Sequence, residues 1–282
     1  MALTVEFTKM DGAGNDFIVI DNRFYNFSDA ELRRIALEYC PRRTGIGADG
    51  LVALNEPLVV DADARMRYFN ADGTAGMCGN GARCLVAYAI GAEINSDQYL
   101  IETDSGMYRA RADAVGIITL YVPPPRNYRK NIQLDNLTDE ASYIWTGTDH
   151  VVMEVGDLNE TDVAGIGRAI RYDAALAPSG SNVNFVSKSG MGPTEIAVRT
   201  YERGVEEETL ACGTGAMAAA IVSAFRDMVA ATPVVVHMPG GELVVDFDIT
   251  EEGQIENLSL SGPSNVVYRG TIQLDTSLLK PS

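Results

Sequence analysis

Apolar and polar residues alternate along the chain at 5–9, 17–21, 65–70, 117–122, 151–155, 197–201, 234–238 and 243–247, the period of half-buried strands. Helical patterning is sparser. Ser28-Asp29-Ala30-Glu31 forms a capping box ahead of residues 32–39, residues 162–171 are amphipathic, and small apolar segments follow Cys78 and Cys212. Together these predict an α+β protein with a mixed or antiparallel sheet system. Pro123-Pro124-Pro125 is the stiff punctuation near mid-chain and is read as the crossing between two halves.

The most informative pattern is an internal echo. Cys78-Gly79-Asn80-Gly81-Ala82 in the first half is matched by Cys212-Gly213-Thr214-Gly215-Ala216 in the second, each leading into a helix-like run. The strands upstream match too: Arg67-Tyr68-Phe69-Asn70 precedes Gly73 as Arg199-Thr200-Tyr201-Glu202 precedes Gly204. Two similar half-molecules follow, each running strand, loop, Cys-Gly-x-Gly, helix.

Composition narrows the partners. With 39 acidic against 22 basic residues in 282, the net charge is −17, which repels a phosphate backbone or an anionic membrane surface. No nucleic-acid or membrane partner is expected. The first residues lack a basic cap followed by an apolar core, so no secretory leader is expected and the cytoplasm is the default location. Four cysteines without a C-x-x-C pair suggest neither a disulfide framework nor a zinc site, and two histidines exclude a histidine-rich metal site. Glu206-Glu207-Glu208 is short enough to be a solvated turn.

The repeated motif carries chemistry. A cysteine at a helix N-terminus sits where unpaired amides and the positive end of the macrodipole stabilise a thiolate. The glycines keep that helix end bare, so a small anion such as a carboxylate can approach the amides. Two such motifs facing each other would hold one carboxylate with a sulfur on each face of the adjoining carbon, suiting proton removal from one side and return from the other. Cys40 and Cys84 lack the glycine context and are expected to be buried hydrophobes. Gly213-Thr214-Gly215-Ala216-Met217-Ala218 also satisfies the nucleotide-binding pattern G-x-G-x-x-A, but a Glu-rich loop rather than an apolar strand enters it. His237 reads as a surface or edge residue of its strand. His150 is a candidate proton carrier for a nearby thiol.

These residues resemble the diaminopimelate epimerase family. The likeness rests on Phe7-Thr8-Lys9-Met10 with Gly12-Ala13-Gly14-Asn15-Asp16-Phe17, on Arg43-Thr44-Gly45-Ile46-Gly47-Ala48-Asp49-Gly50, on Phe69-Asn70-Ala71-Asp72-Gly73 and on the two Cys-Gly-x-Gly segments. Tyr201-Glu202-Arg203-Gly204, Ser181-Asn182-Val183-Asn184-Phe185, Pro239-Gly240-Gly241 and Gly262-Pro263 extend it over nearly the whole chain. The resemblance implies two pseudo-symmetric domains, each a mixed or antiparallel sheet around a central helix, spanning 1–122 with 262–282 and 123–261. It implies cofactor-independent interconversion of LL- and meso-diaminopimelate by a cytoplasmic homodimer, with no metal.

By the same resemblance Cys78 and Cys212 are the acid/base thiols, with His150 and Glu202 as partners of Cys78 and Cys212 respectively. Gly79, Asn80, Gly213 and Thr214 present amides to the reacting carboxylate. Asn15, Asn70, Asn182, Glu202 and Arg203 hold the distal amino-acid end, Arg203 against its carboxylate and Glu202 against its ammonium. Where the family often shows Gly-Asn-Pro-His, this chain has Gly147-Thr148-Asp149-His150, and Asp11 stands where histidine or glutamine is more usual. The alternatives are a racemase or epimerase of another amino acid, or an inactive amino-acid-binding homologue.

Overall fold

The computed structural model describes residues 2–135, 137–188 and 190–275, the side chains of 137–139 excepted. The chain divides into two compact units, Met1–Leu120 with Gly262–Ser282, and Tyr121–Ser261, so that Pro123-Pro124-Pro125 lies just past the first boundary. The expected return of the chain after Gly262 is described as far as residue 275, and 276–282 lie outside the described residues.

The first unit contains β1 (Ala2–Gly12), β2 (Asn15–Asp21), the short α1 (Asn22–Tyr25), α2 (Asp29–Tyr39), β3 (Gly50–Asn55), β4 (Ala64–Asn70), α3 (Gly79–Gly91), β5 (Tyr99–Thr103), β6 (Gly106–Ala112) and β7 (Ile118–Tyr121). Its ladders alternate: β1–β2 antiparallel, β2–β3 parallel, β3–β4 antiparallel, β4–β5 parallel and β5–β6 antiparallel. The strand Asn265–Asp275 runs antiparallel along β1. Parallel neighbours require a crossover, and α2 and α3 supply the two that this order needs.

Both faces of the sheet are covered, which explains its sequence. Leu32, Ile35 and Ala36 of α2 pack on Val5, Phe7, Ile18, Ile20, Leu51 and Ala53. The alternate side chains, Phe17, Val19 and Val52, then project from the opposite face, where α3 packs on β1 to β4. A strand buried on both faces reads as a continuous apolar run rather than an alternation. That is why Leu51-Val52-Ala53-Leu54 of β3 escapes the period-two pattern. The capping box that predicts α2 is present: the Ser28 amide and hydroxyl both donate to Glu31 Oε2, at 2.8 and 2.7 Å.

The second unit contains β8 (Arg126–Leu134), β9 (Leu137–Trp145), β10 (Asp149–Glu154), α4 (Val163–Arg171), β11 (Asn182–Ser187), β12 (Glu195–Glu202), β13 (Glu207–Thr209), α5 (Gly213–Phe225), β14 (Val234–Met238), β15 (Gly241–Ile249) and β16 (Ile255–Gly262), after which comes β17 (Asn265–Asp275). The ladder directions repeat those of the first unit: β9–β10 antiparallel, β10–β11 parallel, β11–β12 antiparallel, β12–β14 parallel and β14–β15 antiparallel. β8 runs antiparallel on β9 as β17 does on β1. The repeat predicted from one short motif therefore extends to the whole topology. Val163 and Ile170 of α4 pack on Val151, Met153, Val183, Phe185 and Tyr201, as α2 packs in its own unit.

α5 is apolar all round and almost wholly buried, against β9 to β12, β14 and β15. Two sequence expectations need correction here. His237 is partly exposed, as a surface residue should be, but it is not on an edge, because β14 is paired on both sides, and its ring lies between Glu195 Oε2 at 3.2 Å and Glu242 Oε1 at 3.1 Å. The acidic run is not freely solvated: Glu208 takes Arg199 through both oxygens at 2.6 Å, and Glu206 takes Arg171 at 3.1 Å. Among the described residues no helix is long and apolar enough to cross a membrane, and no cluster of metal-ligating side chains occurs.

Candidate functional site

In the first unit, β4 ends at Asn70 and a turn through Gly73, at φ +77°, leads to Cys78. Cys78 caps the 13-residue α3 from an extended backbone, φ −129° and ψ 119°, and its Sγ accepts the Gly81 amide at 3.4 Å. The first intrahelical bond runs from the Ala82 amide to the Cys78 carbonyl at 2.8 Å. The amides of Gly79 and Asn80 precede that turn and have no helical carbonyl to meet, which leaves the N-terminal end suited to an anion.

The side chains around this helix end are oriented by donor and acceptor logic. Arg83 can only donate, and its Nη2 meets Asn80 Oδ1 at 2.9 Å, so the Asn80 nitrogen faces Asn15 Oδ1 at 2.7 Å. The Asn15 nitrogen in turn donates to Asp49 Oδ2 at 3.0 Å, and Asp49 is paired with Arg42. Asn70 accepts from the Tyr68 hydroxyl at 2.9 Å and donates to Thr74 Oγ1 at 2.9 Å. Arg83 was not singled out from the sequence, although a charge inside a small apolar helix run is a visible signal. It is fully buried, its Nε and Nη1 have no partner among the described residues, and burial lowers its pKa.

The second unit repeats the arrangement with different trim. β12 ends at Glu202, Gly204 turns at φ +95°, and Cys212 caps the 13-residue α5 from φ −138°, ψ 104°. Its Sγ lies 3.5 Å from Thr214 Oγ1, and the Ala216 amide reaches the Cys212 carbonyl at 2.8 Å. Thr146 Oγ1 donates to the Thr214 carbonyl at 2.8 Å, tying the first turn of α5 to the end of β9. Cys212 is buried and Cys78 half-buried. Cys40 and Cys84 are buried as expected, and burial pushes both thiols up to about 12.

His150 is wholly buried, and desolvation, helped by the Arg203 charge, pushes its pKa down to about 3. Its tautomer follows from Asn184. The Asn184 nitrogen donates to the Val151 carbonyl at 3.0 Å and meets His150 Nδ1 at 3.0 Å, so Nδ1 accepts and the proton sits on Nε2. Nε2 is buried without a hydrogen-bond partner among the described residues. A neutral ring in this form presents an N–H donor and cannot take a further proton at Nε2. Asn184 completes its own set by accepting from Thr200 Oγ1 at 3.0 Å. It too was missed as a functional residue, although Asn182 and Asn184 are polar residues on one face of a wholly buried strand.

Arg203 is held by several partners within this half. Its Nη1 lies 2.8 Å from Asp149 Oδ2 and 3.0 Å from the Gly180 carbonyl, and its Nη2 lies 2.6 Å from Thr148 Oγ1. Asn182 accepts the Arg203 amide at 2.8 Å and donates to the Asp149 carbonyl at 3.1 Å. Glu202 Oε2 accepts from Thr209 Oγ1 at 2.9 Å. Burial works against the charge of Asp149, but hydrogen bonds from Tyr143 and Arg203 outweigh it and hold the carboxyl below its usual range. Tyr143 is pushed up to about 12 by burial and by that carboxylate.

Of the predicted site residues, the structure places Asn15, Asn70, Cys78, Gly79 and Asn80 in the first unit and His150, Asn182, Glu202, Arg203, Cys212, Gly213 and Thr214 in the second. It joins Asn15 to Asn80 and Asn182 to Arg203. Glu202 and Arg203 are adjacent at the end of β12 but take different partners.

A family model described as "Diaminopimelate epimerase" matches residues 7–121 and 142–266. Among curated relatives, a diaminopimelate epimerase of Chlorobaculum tepidum is 41% identical, covering 94% of this chain and 100% of its own. One of Aquifex aeolicus is 38% identical, covering 95% and 98%. Among solved structures, a phenazine biosynthesis protein of the PhzF family from Bacillus anthracis superposes with a TM-score of 0.75 at 16% identity, over 96% of this chain and 99% of that one. A probable proline racemase from Agrobacterium radiobacter gives 0.67 at 16% identity, over 96% and 94%. Likeness to these two structures concerns the fold alone.

Proposed function

The chain belongs to the diaminopimelate epimerase family, and on that footing we propose that it converts LL-diaminopimelate to meso-diaminopimelate without an added cofactor. Cys78 and Cys212 exchange the α-proton, one thiolate accepting it while the other thiol donates to the opposite face of the carbon. The amides of Gly79, Asn80, Gly213 and Thr214 receive the carboxylate charge that grows as the α-carbon becomes carbanionic. Asn15, Asn70, Asn182, Glu202 and Arg203 hold the distal amino-acid end and so fix which carbon meets the sulfurs. His150 and Glu202 are the partners of Cys78 and Cys212, with neutral His150 contributing an N–H rather than a base.

One observation carries this reading. Two cysteines, each at the N-cap of a 13-residue helix, stand at matching places in two units with the same ladder order. We place the enzyme in the cytoplasm as a homodimer serving lysine and peptidoglycan supply, as the family resemblance implies; light scattering tests the dimer.

The direct test is proton NMR of the reduced protein with LL-diaminopimelate in D2O, beside a panel of single-centre amino acids. Loss of the α-proton signal with appearance of the meso isomer, for diaminopimelate alone, is the expected result. Cys78→Ala and Cys212→Ala should each abolish turnover in both directions. Exchange only with another amino acid overturns the substrate, and ordinary activity in either variant overturns the two-thiol mechanism.

A further inference from the structure

Arg203 is not a free cation waiting for an anion. Within its own unit the guanidinium is fastened by the loop between β9 and β10, through Asp149 Oδ2 at 2.8 Å and Thr148 Oγ1 at 2.6 Å. The other carboxylate oxygen of Asp149 accepts the Tyr143 hydroxyl at 2.5 Å, so the acid is held from both sides. The backbone of the same two residues is locked by Asn182, which accepts the Arg203 amide and donates to the Asp149 carbonyl. Arg203 and Asp149 are each 26% exposed, a position where charges interact more strongly than on open surface. Glu202, next in the chain, is engaged by Thr209 Oγ1, and the neighbouring Arg171, which shares the Ser179 carbonyl with Arg203, is itself paired with Glu206.

We propose that Asp149 is a specificity-determining residue that acts through Arg203, making this subsite favour a zwitterionic amino-acid end over a bare carboxylate. The inference rests on the reading of Arg203 as the partner of the distal carboxylate. An unpaired arginine would attract any carboxylate. With Asp149 at hydrogen-bond distance the attraction is largely cancelled at range, and a bare carboxylate meets a cation already neutralised by its own carboxylate. A zwitterionic end presents its carboxylate to the outer N–H groups of Arg203 and its ammonium to the acids. The ammonium thus becomes a requirement rather than an addition.

The test compares kcat/KM for α-proton exchange in D2O on diaminopimelate and on 2-aminoheptanedioate, which has the same carbon chain and distal carboxylate but no distal ammonium. Asp149→Asn keeps the shape and the bond to Tyr143 while removing the charge. It should lower the preference for diaminopimelate on the order of tenfold, chiefly through a lower KM for 2-aminoheptanedioate. Asp149→Ser, which removes the same charge with a smaller polar side chain, should shift the ratio in the same direction and decides the matter if Asp149→Asn does not fold. An unchanged ratio, or KM values that rise equally for both compounds, overturns the proposal. Absence of exchange by the unaltered protein on diaminopimelate overturns the functional reading instead, and is seen before any variant is made.

Discussion

Gly81 and Gly215 occupy the same place in the repeat, the third position of α3 and α5, yet the same substitution should affect them very differently. A Cβ at Gly215 would lie 2.3 Å from Asn184 Oδ1 and 3.2 Å from Cys212 Sγ. Asn184 cannot simply step aside. It is fully buried and bonded to Val151, His150 and Thr200 at 3.0 Å each. Retreat by most of an ångström breaks at least the Thr200 bond inside the core. Overpacking costs about 1–3 kcal/mol and a buried polar atom left unpaired about 1–3 more, against a helix-propensity gain of at most ~1 kcal/mol. Gly215→Ala should therefore cost about 2–4 kcal/mol.

At Gly81 the nearest neighbours of an added Cβ are Met66 Cε and Val52 Cγ2, both at 3.3 Å. Those contacts need only a few tenths of an ångström of relief, and a methionine end adapts readily. Gly81→Ala should stay within about 1 kcal/mol of the unaltered protein. Urea unfolding separates the two variants, with circular dichroism for the whole chain and fluorescence of Trp145, the single tryptophan, for the second unit. Equal midpoints for the two variants, or a Gly215→Ala midpoint like that of the parent, would refute the packing argument.

Protonation gives a further test. The folded pKa of His150, about 3, lies below its unfolded value, so the unfolded chain binds the extra proton and stability falls as pH drops below about 6.5. The slope from this group approaches 1.4 kcal/mol per pH unit, and His150→Gln should flatten the stability profile between pH 6.5 and 5 by that amount; parallel profiles would rule the argument out. Native alkylation at pH 8 with peptide mapping should leave Cys40 and Cys84 unmodified, because burial keeps both as thiols, and labelling of either before unfolding would contradict that. Loss of turnover in Cys78→Ala and Cys212→Ala, and the altered substrate ratio of Asp149→Asn, complete the set.

Much of this protein is written locally. Each of the eight alternating runs falls on a strand, two of them overrunning its end by a residue, the Ser28 box starts α2, and Cys-Gly-x-Gly marks both helix ends, because pleat, capping and helix-end geometry depend on residues a few places apart. The repeat is legible for the same reason. What the chain does not state locally is which partner each group meets. β3 escapes the alternation because α2 covers one face of its sheet and α3 the other, so no polar side remains to show the period. The two histidines look equivalent in sequence, but one is sealed under Asn184 and neutral while the other lies between two carboxylates. Arg203 and Asp149 are 54 positions apart, and only the parallel pairing of β10 with β11 and the antiparallel pairing of β11 with β12 bring them together. Composition and spacing name the candidate residues, whereas burial and partner charges, which arise only when distant strands meet, set their protonation and what they can bind.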